Sequence, residues 1–309
     1  MFHVTRFDET LNETPAAYAD RSTGYARQLL VGSSTGSPHM GLFRCQLEPG
    51  GSIEAVVHSF EVSLYVLEGE LALTMLGTSI RLAADQCAAV PVGVTYAIRA
   101  GATPVSWLQM SAPAPFEDTR RTDTFFTGEQ LEAAADAAPD LRDPRNQHSF
   151  SFDPSSMDLG NLAGISGGQA VDAPTVSASM ATALLAYSGI GVRMLVDQRL
   201  GAGLHTMFMV QYQPTAIAHP HDHPFEEAYV FVEGETHALV EGNELVLRAG
   251  DVLWCGVGSD HGFHNRGSGL LRWIETQAPQ PPSQHSYRFS RDWEYLGSLL
   301  EQNHGATSD

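Results

Sequence analysis

The sequence predicts an all-β protein made of two tandem β-sandwich or β-barrel domains with few short helices, and three observations support this fold class. Short apolar runs are bounded by Gly, Pro, Asn and Asp, which is typical of strands rather than helices. Many such strands follow one another at close spacing, as they do in sandwiches and barrels. One segment is also similar to another segment 165 residues downstream, so we expect the barrel twice.

The repeat is clearest between two segments of equal length. LFRCQLEPGGSIEAVVHSFEVSLYVLEGELAL (42–73) aligns with MFMVQYQPTAIAHPHDHPFEEAYVFVEGETHA (207–238), and His58 then corresponds to His223. Both segments end in a pair of strands joined by a Glu-Gly turn. The match continues, with single-residue slips, from SWLQMSAP to RWIETQAP near the end of each copy. A duplicated domain is the simplest explanation.

The remaining elements complete three predicted regions. We expect an N-terminal barrel over 1–115, a linker over 116–185 and a C-terminal barrel over 186–309. The linker should contain a short helix in GEQLEAAADAA (128–138), which follows a possible N-cap Thr. A second helix is predicted near the end of the chain, in SRDWEYLGSLLEQN (290–303).

Composition excludes several classes of protein. A chain of 309 residues with 43% hydrophobic residues can bury two cores. A formal net charge of −19 and the lack of any Lys and Arg run argue against nucleic acid and anionic membranes as partners. Cys45, Cys87 and Cys255 are widely separated and lack CxxC spacing, so we expect buried thiols rather than disulfides. The start of the chain lacks a secretory signal pattern, and we expect a soluble, cytoplasmic protein.

The segment HPHDHPFEEAYVFVEGE (219–235) carries the densest group of polar side chains. Residues i and i+2 of a strand face the same side, so His221 and His223 should project together. Glu227 has their parity, whereas Glu226 faces the opposite side. His219 also has this parity and is a candidate acid or base beside them.

These residues resemble the motifs of the cupin family, and the duplicated arrangement resembles the bicupins, which have two fused jelly-roll barrels. In the second motif, Gly256 stands where the family usually has Pro. The resemblance implies that His261 joins the site from a later strand. The residues that match the two motifs are His221, Asp222, His223, Glu227 and Gly234, then Gly250, Gly256, Gly258, His261 and Asn265.

Three imidazoles and one carboxylate form a mixed nitrogen and oxygen shell suited to Fe, Mn, Ni, Cu or Zn. Burying these groups without a metal would leave them poorly compensated, which is costly. We therefore predict one divalent transition metal per chain, held by His221, His223, Glu227 and His261. The alternative is that these are surface histidines in an acidic loop.

The first copy differs at the corresponding positions. Val56, His58, Val62 and Tyr96 stand where the second copy has its four candidate ligands. Glu61 lies beside the site but matches Glu226, so it should face away from the interior. We predict a first barrel that holds no metal and acts as a structural partner.

The resemblance also limits the predicted function. We expect a metal-dependent enzyme that acts on a small organic molecule, with a dioxygenase-type oxidoreductase favoured. One alternative is a non-redox Mn or Zn enzyme, either an isomerase or an aminohydrolase related to the bicupin ureidoglycine aminohydrolases. Those enzymes have a different ligand order, with Glu first, two His, and then Gln. Another alternative is a metal-binding or small-molecule-binding protein without turnover. The chain could be a monomer or a homodimer.

Overall fold

The computed structural model describes residues 1–117, 122–131, 136–137, 148–157, 188–280 and 288–289, of which the two pairs are described by backbone alone. These ranges form two β-barrels. Strands β1–β8 are Phe2–Arg6, Ser22–Val31, Gly41–His58, Glu61–Glu68, Glu70–Met75, Thr78–Ala83, Gln86–Val90 and Tyr96–Ala100. Strands β9–β15 are Val105–Ala112, Thr124–Phe126, Asp136–Ala137, Ser149–Ser151, Ile190–Val196, Thr206–Tyr212 and Ile217–Asp222. Strands β16–β22 are Glu226–Glu233, Glu235–Val240, Asn243–Arg248, Asp251–Cys255, His261–His264, Leu271–Ala278 and Arg288–Phe289.

Strand pairing confirms the duplication. In the first barrel β4 lies between β9 and β7, and in the second barrel β16 lies between β21 and β19 in the same way. The long strand β3 pairs with both β9 and β8 and corresponds to β14 and β15 of the second barrel. Val56 pairs with Tyr96, as His221 pairs with His261. Corresponding residues of the two copies therefore occupy the same places in their barrels.

Helical structure is confined to short 3₁₀ turns in the described ranges. The helix predicted over 128–138 is wrong for the residues that are described, because 128–131 are irregular and 136–137 form β11. β11 pairs in parallel with β6. Isolated helices of this length are only marginally stable, and pairing with β6 gives the backbone N–H and C=O groups of this segment hydrogen-bond partners instead. The helix predicted over 290–303 lies outside the described residues. The 3₁₀ turns are Glu9–Leu11, Ala16–Tyr18, Ser33–Thr35, Pro154–Met157 and Gln198–Leu200.

Strands from outside the two repeats extend the barrels. β1, at the start of the chain, pairs with β19 of the second barrel, with Phe2 opposite Cys255. β10 and β12 pair with β3 and β7 of the first barrel, so part of the predicted linker adds edge strands to that barrel. Pairing of exposed strand edges in this way leaves fewer unpaired N–H and C=O groups. No helix among the described residues is long and apolar enough to cross a membrane.

Three hydrophobic clusters form the core. One fills the first barrel around Trp107, and another fills the second barrel around Trp273. The third joins the two barrels and includes Leu42 from β3 and Met207 and Met209 from β14. Because side chains alternate along a strand, one face of each of these strands lines a barrel and the other packs against the neighbouring barrel.

Two glutamates connect the barrels reciprocally. Glu61 of β4 accepts the backbone N–H groups of Gly203 and Leu204 at 2.7 and 3.1 Å, and His205 Nδ1 lies 2.8 Å from its Oε1. Glu226, at the corresponding position of β16, accepts the hydroxyl of Ser37 at 2.6 Å. Glu61 therefore binds the segment that precedes β14, and Glu226 binds the segment that precedes β3. This position explains why both face away from the barrel interiors.

Ser63 extends the contact of Glu61. Its hydroxyl hydrogen-bonds His205 Nε2, which gives a Ser–His–Glu arrangement like that of a hydrolase. Ser63 and His205 are both 0% exposed and Glu61 is 3% exposed, so no substrate reaches the hydroxyl. We assign this arrangement to the joining of the barrels.

Candidate metal centre

Three of the predicted ligands converge in the second barrel. His221 lies near the end of β15, His223 follows that strand, and His261 begins β20 opposite His221. One ring nitrogen from each lies within 4.8 Å of the other two. Their exposed fractions are 8%, 2% and 0%, so the cluster is buried. The three imidazoles are close enough to bind one metal ion.

Backbone carbonyls orient two of the imidazoles. His221 Nδ1 lies 2.7 Å from the carbonyl oxygen of His219, and His261 Nδ1 lies 2.9 Å from that of Ser259. A carbonyl oxygen only accepts, so each Nδ1 carries the proton and donates it. The lone pair of each ring is then on Nε2, the tautomer suited to metal coordination. His223 is held differently, by stacking on Phe225 with ring centroids 4.6 Å apart.

Glu227 completes the predicted ligand set on one side. Its Oε2 lies 3.0 Å from His223 Nε2 and 3.4 Å from His261 Nε2. Burial alone would raise the pKa of Glu227, but its interactions with His223 and His261 outweigh burial and hold that pKa well below the usual value. The side chain is therefore a carboxylate, which is the form that binds metal. Three imidazole nitrogens and one carboxylate oxygen fit a divalent transition metal.

Sequence analysis missed the residues that support Glu227. Gln277 donates from Nε2 to Glu227 Oε1 at 2.5 Å, and the Tyr229 hydroxyl donates to Oε2 and lies 2.7 Å from His261 Nε2. Behind them, Glu275 accepts from Trp273 Nε1 at 2.9 Å. The missed signal was strand parity, because Glu227 and Tyr229 share a face of β16 and lie opposite Gln277 and Glu275 of β21.

Glu275 is a second acid close to the site. Burial raises its pKa well above the usual value, and the negative charge of Glu227 raises it further. Glu275 therefore keeps its proton to a higher pH than Glu227 does. Neighbouring acids whose pKa values are shifted in opposite directions are common where proton transfer is needed.

His219 does not share the face of His221, so the predicted parity is wrong at this residue. The register between β15 and β20 shifts between Ala218 and His221, which is a β-bulge. Gly262 lies opposite the bulge, where an added Cβ would come within 2.9 Å of backbone atoms of Ala218 and Pro220. The carbonyl of His219 supports His221, but the His219 side chain lines another cavity.

That cavity has a volume of about 460 Å³ and lies outside the imidazole cluster. His221, His223 and His261 are not among its lining residues. An acid–base role for His219 in the barrel interior is therefore not supported by its position. Residues that line the cavity include His219, His237, Leu239, Val246, His264 and Arg266.

The corresponding place in the first barrel is largely apolar. Val56 and Val62 are fully buried, and His58 Nε2 lies 3.0 Å from the hydroxyl of Tyr96. The other ring nitrogen of His58 lies 3.0 Å from Thr124 Oγ1. Burial, with a smaller contribution from the charge of Arg27, lowers the pKa of His58 to about 3. The imidazole is therefore neutral at physiological pH and is held by two hydroxyl groups.

Comparisons with known proteins agree with this architecture. The cupin domain model matches residues 43–111 and 208–276. No curated protein sequence matches the chain.

Among solved structures, Bacillus subtilis oxalate decarboxylase has a TM-score of 0.62 at 16% identity, covering 96% of this chain and 82% of that chain. Lactobacillus farciminis oxalate decarboxylase has a TM-score of 0.62 at 16% identity, with 95% and 90% covered. Salicylate 1,2-dioxygenase from Pseudaminobacter salicylatoxidans has a TM-score of 0.58 at 12% identity, with 78% and 71% covered. At these identities the similarity concerns the fold. The chain belongs to the cupin family and is a bicupin, with one cupin domain in each barrel.

Proposed function

We propose that the protein is a metal-dependent enzyme that acts on a small organic molecule in the second barrel. The observation that carries this proposal is the buried convergence of His221, His223 and His261, with Glu227 in contact with two of them. In this proposal the four side chains hold one divalent transition metal. When bound, the metal would act as a Lewis acid and, if it is iron, would also supply redox chemistry with dioxygen.

The surrounding residues have separate tasks in this proposal. Gln277 and Tyr229 hold the carboxylate of Glu227 in one orientation through their hydrogen bonds. Phe225 holds the ring plane of His223. Aromatic residues of the barrel core, including Phe208 and Phe231, keep bulk water from the inner end of the site. A water-poor site strengthens the electrostatic interactions of its polar groups.

We favour a dioxygenase-type oxidation as the reaction. Four protein ligands would leave coordination positions open on a transition metal, one for an oxygen atom of the substrate and one for dioxygen. The similarity in fold to a salicylate 1,2-dioxygenase is compatible with this reaction, and the similarity to oxalate decarboxylases is equally compatible with another.

A non-redox reaction is the second candidate. Tyr229 places a phenol hydroxyl within 2.7 Å of His261, and the carboxyl group of Glu275 lies behind it. Groups that carry protons beside a Lewis acid suit decarboxylation, isomerisation or hydrolysis. A metal-binding protein without turnover is the third candidate.

The metal site is tested by elemental analysis of the purified full-length protein. We expect about one transition metal per chain. His223→Ala should remove it, because that imidazole is one of the three that converge. His58→Ala is the matched control, since His58 is the corresponding residue of the first barrel, and it should leave the metal content unchanged. Equal metal content in both variants would refute the assignment.

The reaction class is tested by anaerobic reconstitution with Fe(II) and measurement of oxygen uptake. The substrate panel should contain catechols, salicylate, diketones and hydroxy acids. Oxygen uptake that His223→Ala abolishes supports the dioxygenase. Release of carbon dioxide or ammonia, or isomerisation, with Mn or Zn and without oxygen uptake supports the non-redox enzyme. Tight metal binding with no turnover supports the binding protein.

Three further properties remain proposals. We propose domain boundaries near residues 115 and 186, with β1 as an exchanged strand. We propose a cytoplasmic location, which the buried and unpaired Cys45, Cys87 and Cys255 support. We propose a monomer or a homodimer, which light scattering would distinguish.

A further inference from the structure

We propose that the first barrel binds a small organic carboxylate, which Arg27 and the indole N–H of Trp107 recognise. The proposal concerns a different barrel from the metal centre and does not depend on the proposed function. It rests on the positions of the two donors, on the absence, among the described residues, of a carboxylate partner for Arg27 and of an acceptor for the indole N–H, and on a comparison of the two barrels.

Arg27 projects towards the interior of the first barrel. On β2 it pairs with Cys45, which is fully buried in the core of that barrel. Its guanidinium carbon lies 4.1 Å from the ring centroid of Phe43 and 5.7 Å from that of Tyr18. These aromatic neighbours are buried, whereas Arg27 is only partly buried. Arg27 therefore places a positive charge among aromatic rings at a point that solvent can reach.

No carboxylate pairs with this charge in the described residues. The ion pairs of the other arginines involve Asp and Glu side chains, but none involves Arg27. Asp123 influences the neighbouring Tyr18, but it accepts the N–H of Phe116 at 2.6 Å and the hydroxyl of Thr124 at 3.2 Å. A guanidinium group has five donors in a planar fork that matches a carboxylate. The Tyr25 side chain makes a hydrogen bond with Arg27, and a ligand with a carboxylate would satisfy the remaining donors.

Trp107 supplies the second donor. Its side chain is 0% exposed, and Nε1 has no hydrogen-bond partner among the residues that the structure describes. The ring stacks on Tyr25 at a centroid distance of 6.0 Å, and Tyr25 lies 5.0 Å from Tyr18. Arg27 and Trp107 are thus joined by one continuous row of aromatic rings. A buried N–H without an acceptor is uncommon and needs an explanation.

The second barrel shows what satisfies the equivalent N–H. There Trp273 Nε1 donates to the carboxyl group of Glu275 at 2.9 Å. In the first barrel, Gln109 stands in the place of Glu275, since Leu64 pairs with Gln109 as Tyr229 pairs with Glu275. The first barrel therefore lacks the internal acid that accepts this N–H in the second barrel.

The residue at the position of Arg27 also differs between the two barrels. Arg27 pairs with Cys45 as Val192 pairs with Val210 in the second barrel, where Val192 is 5% exposed and apolar. The first barrel thus replaces an acid by an amide and an apolar residue by a cation. Both differences favour an anion in its interior. The aromatic surroundings favour a carboxylate with a flat, apolar body.

Benzoate is a suitable probe, and benzamide is its neutral counterpart of the same shape. Isothermal titration should use the full-length protein with its metal and, separately, the His223→Ala variant. Benzoate bound in the first barrel should bind both proteins with similar affinity, because His223 lies in the second barrel. We expect 1:1 binding of benzoate and at least about tenfold weaker binding of benzamide, as for loss of a charge-assisted hydrogen bond.

Variants locate the site. Arg27→Gln should weaken benzoate binding about tenfold or more, and Trp107→Phe about threefold to tenfold, since it removes only a neutral donor. Arg99→Gln is the matched control, because Arg99 is an exposed arginine of β8 and its loss should change the affinity less than about twofold. Thermal unfolding checks that each variant is folded. If Arg27→Gln does not fold, Trp107→Phe and the comparison of benzoate with benzamide decide.

Three results would overturn the proposal. They are no binding of 10 mM benzoate to the parent protein, equal binding of benzoate and benzamide, and unchanged benzoate affinity in folded Arg27→Gln or Trp107→Phe. Loss of benzoate binding in His223→Ala alone would place the ligand in the metal centre and would also overturn it. A protein that contains no metal but binds benzoate through Arg27 would refute only the proposed function.

Discussion

Gly262 provides a sharp test of how the imidazole cluster is positioned. It lies on β20 between His261 and Phe263, whose side chains face the barrel interior, so a side chain at 262 would point outward. There a Cβ would lie 2.9 Å from the carbonyl oxygen of Ala218 and from the nitrogen of Pro220. Both are backbone atoms of the bulge that precedes His221, and they cannot rotate away. Gly262→Ala must therefore move the bulge.

The size of this displacement follows from the contacts. Ordinary van der Waals contact begins at 3.4 Å, so the backbone of the bulge must retreat by about 0.5 Å. Overpacking of this kind costs about 1–3 kcal/mol in free energy of unfolding. A shift of about 0.5 Å is also the limit of displacement that a metal or catalytic site usually tolerates. We expect metal affinity to fall about 10-fold to 100-fold, as for loss of other groups that orient a ligand.

Two measurements separate the effects. Competition with a chelator gives the metal affinity, and urea unfolding of the metal-free protein gives the change in stability. Gly269→Ala is the matched control, because an added Cβ there meets no atom within 4 Å. It should change neither quantity by more than experimental error. If Gly262→Ala binds metal as tightly as Gly269→Ala and is equally stable, the bulge does not position His221 and the reasoning is refuted.

Three other variants test the surrounding framework. Glu61→Gln should lower the free energy of unfolding by about 2–3 kcal/mol at pH 7, because it weakens buried hydrogen bonds to Gly203, Leu204 and His205; exposed Glu68→Gln should have little effect in the same urea titration. Burial would raise the pKa of Glu61, but its contacts with His205, Gly203 and Leu204 outweigh burial and lower that pKa. The difference in free energy of unfolding between the parent protein and Glu61→Gln should therefore be full above about pH 5 and should shrink as the pH falls through the lowered pKa. A difference in stability that does not depend on pH would contradict this. Gln277→Leu should weaken metal binding about tenfold in the chelator competition, since Glu227 loses its donor to Oε1; unchanged affinity would show that Gln277 does not position the carboxylate. The triple variant Val56→His, Val62→Glu and Tyr96→His should raise the metal content towards two per chain, because with His58 it reproduces the pairing of the second barrel; elemental analysis that stays at one per chain would show that matching register is not sufficient.

The sequence was sufficient to predict which way a side chain faces where the alternation of side chains along one strand decides it. The parity of His221, His223 and Glu227 was predicted from spacing, and the same rule would have identified Tyr229. The sequence was not sufficient where a residue of another strand determines the local backbone structure. The bulge at His219 is accommodated by Gly262, which lies some 40 positions further along the chain, so counting along β15 gave the wrong face. The pairing of β11 with β6 is also non-local, and a helical pattern could not reveal it.

The adjacent glutamates of β16 show how one strand serves two purposes. Glu227 faces the interior and contacts the imidazoles, whereas Glu226 faces the other barrel and binds Ser37. In the first barrel the interior position is Val62, but Glu61 still binds the segment before β14. The two copies therefore agree on the face that joins them and differ on the face that lines their interiors. Since alternation separates these faces, the interior of the first barrel can differ without weakening the contact between barrels. A metal-free barrel with Arg27 in its wall is thus compatible with a paired barrel that holds a metal.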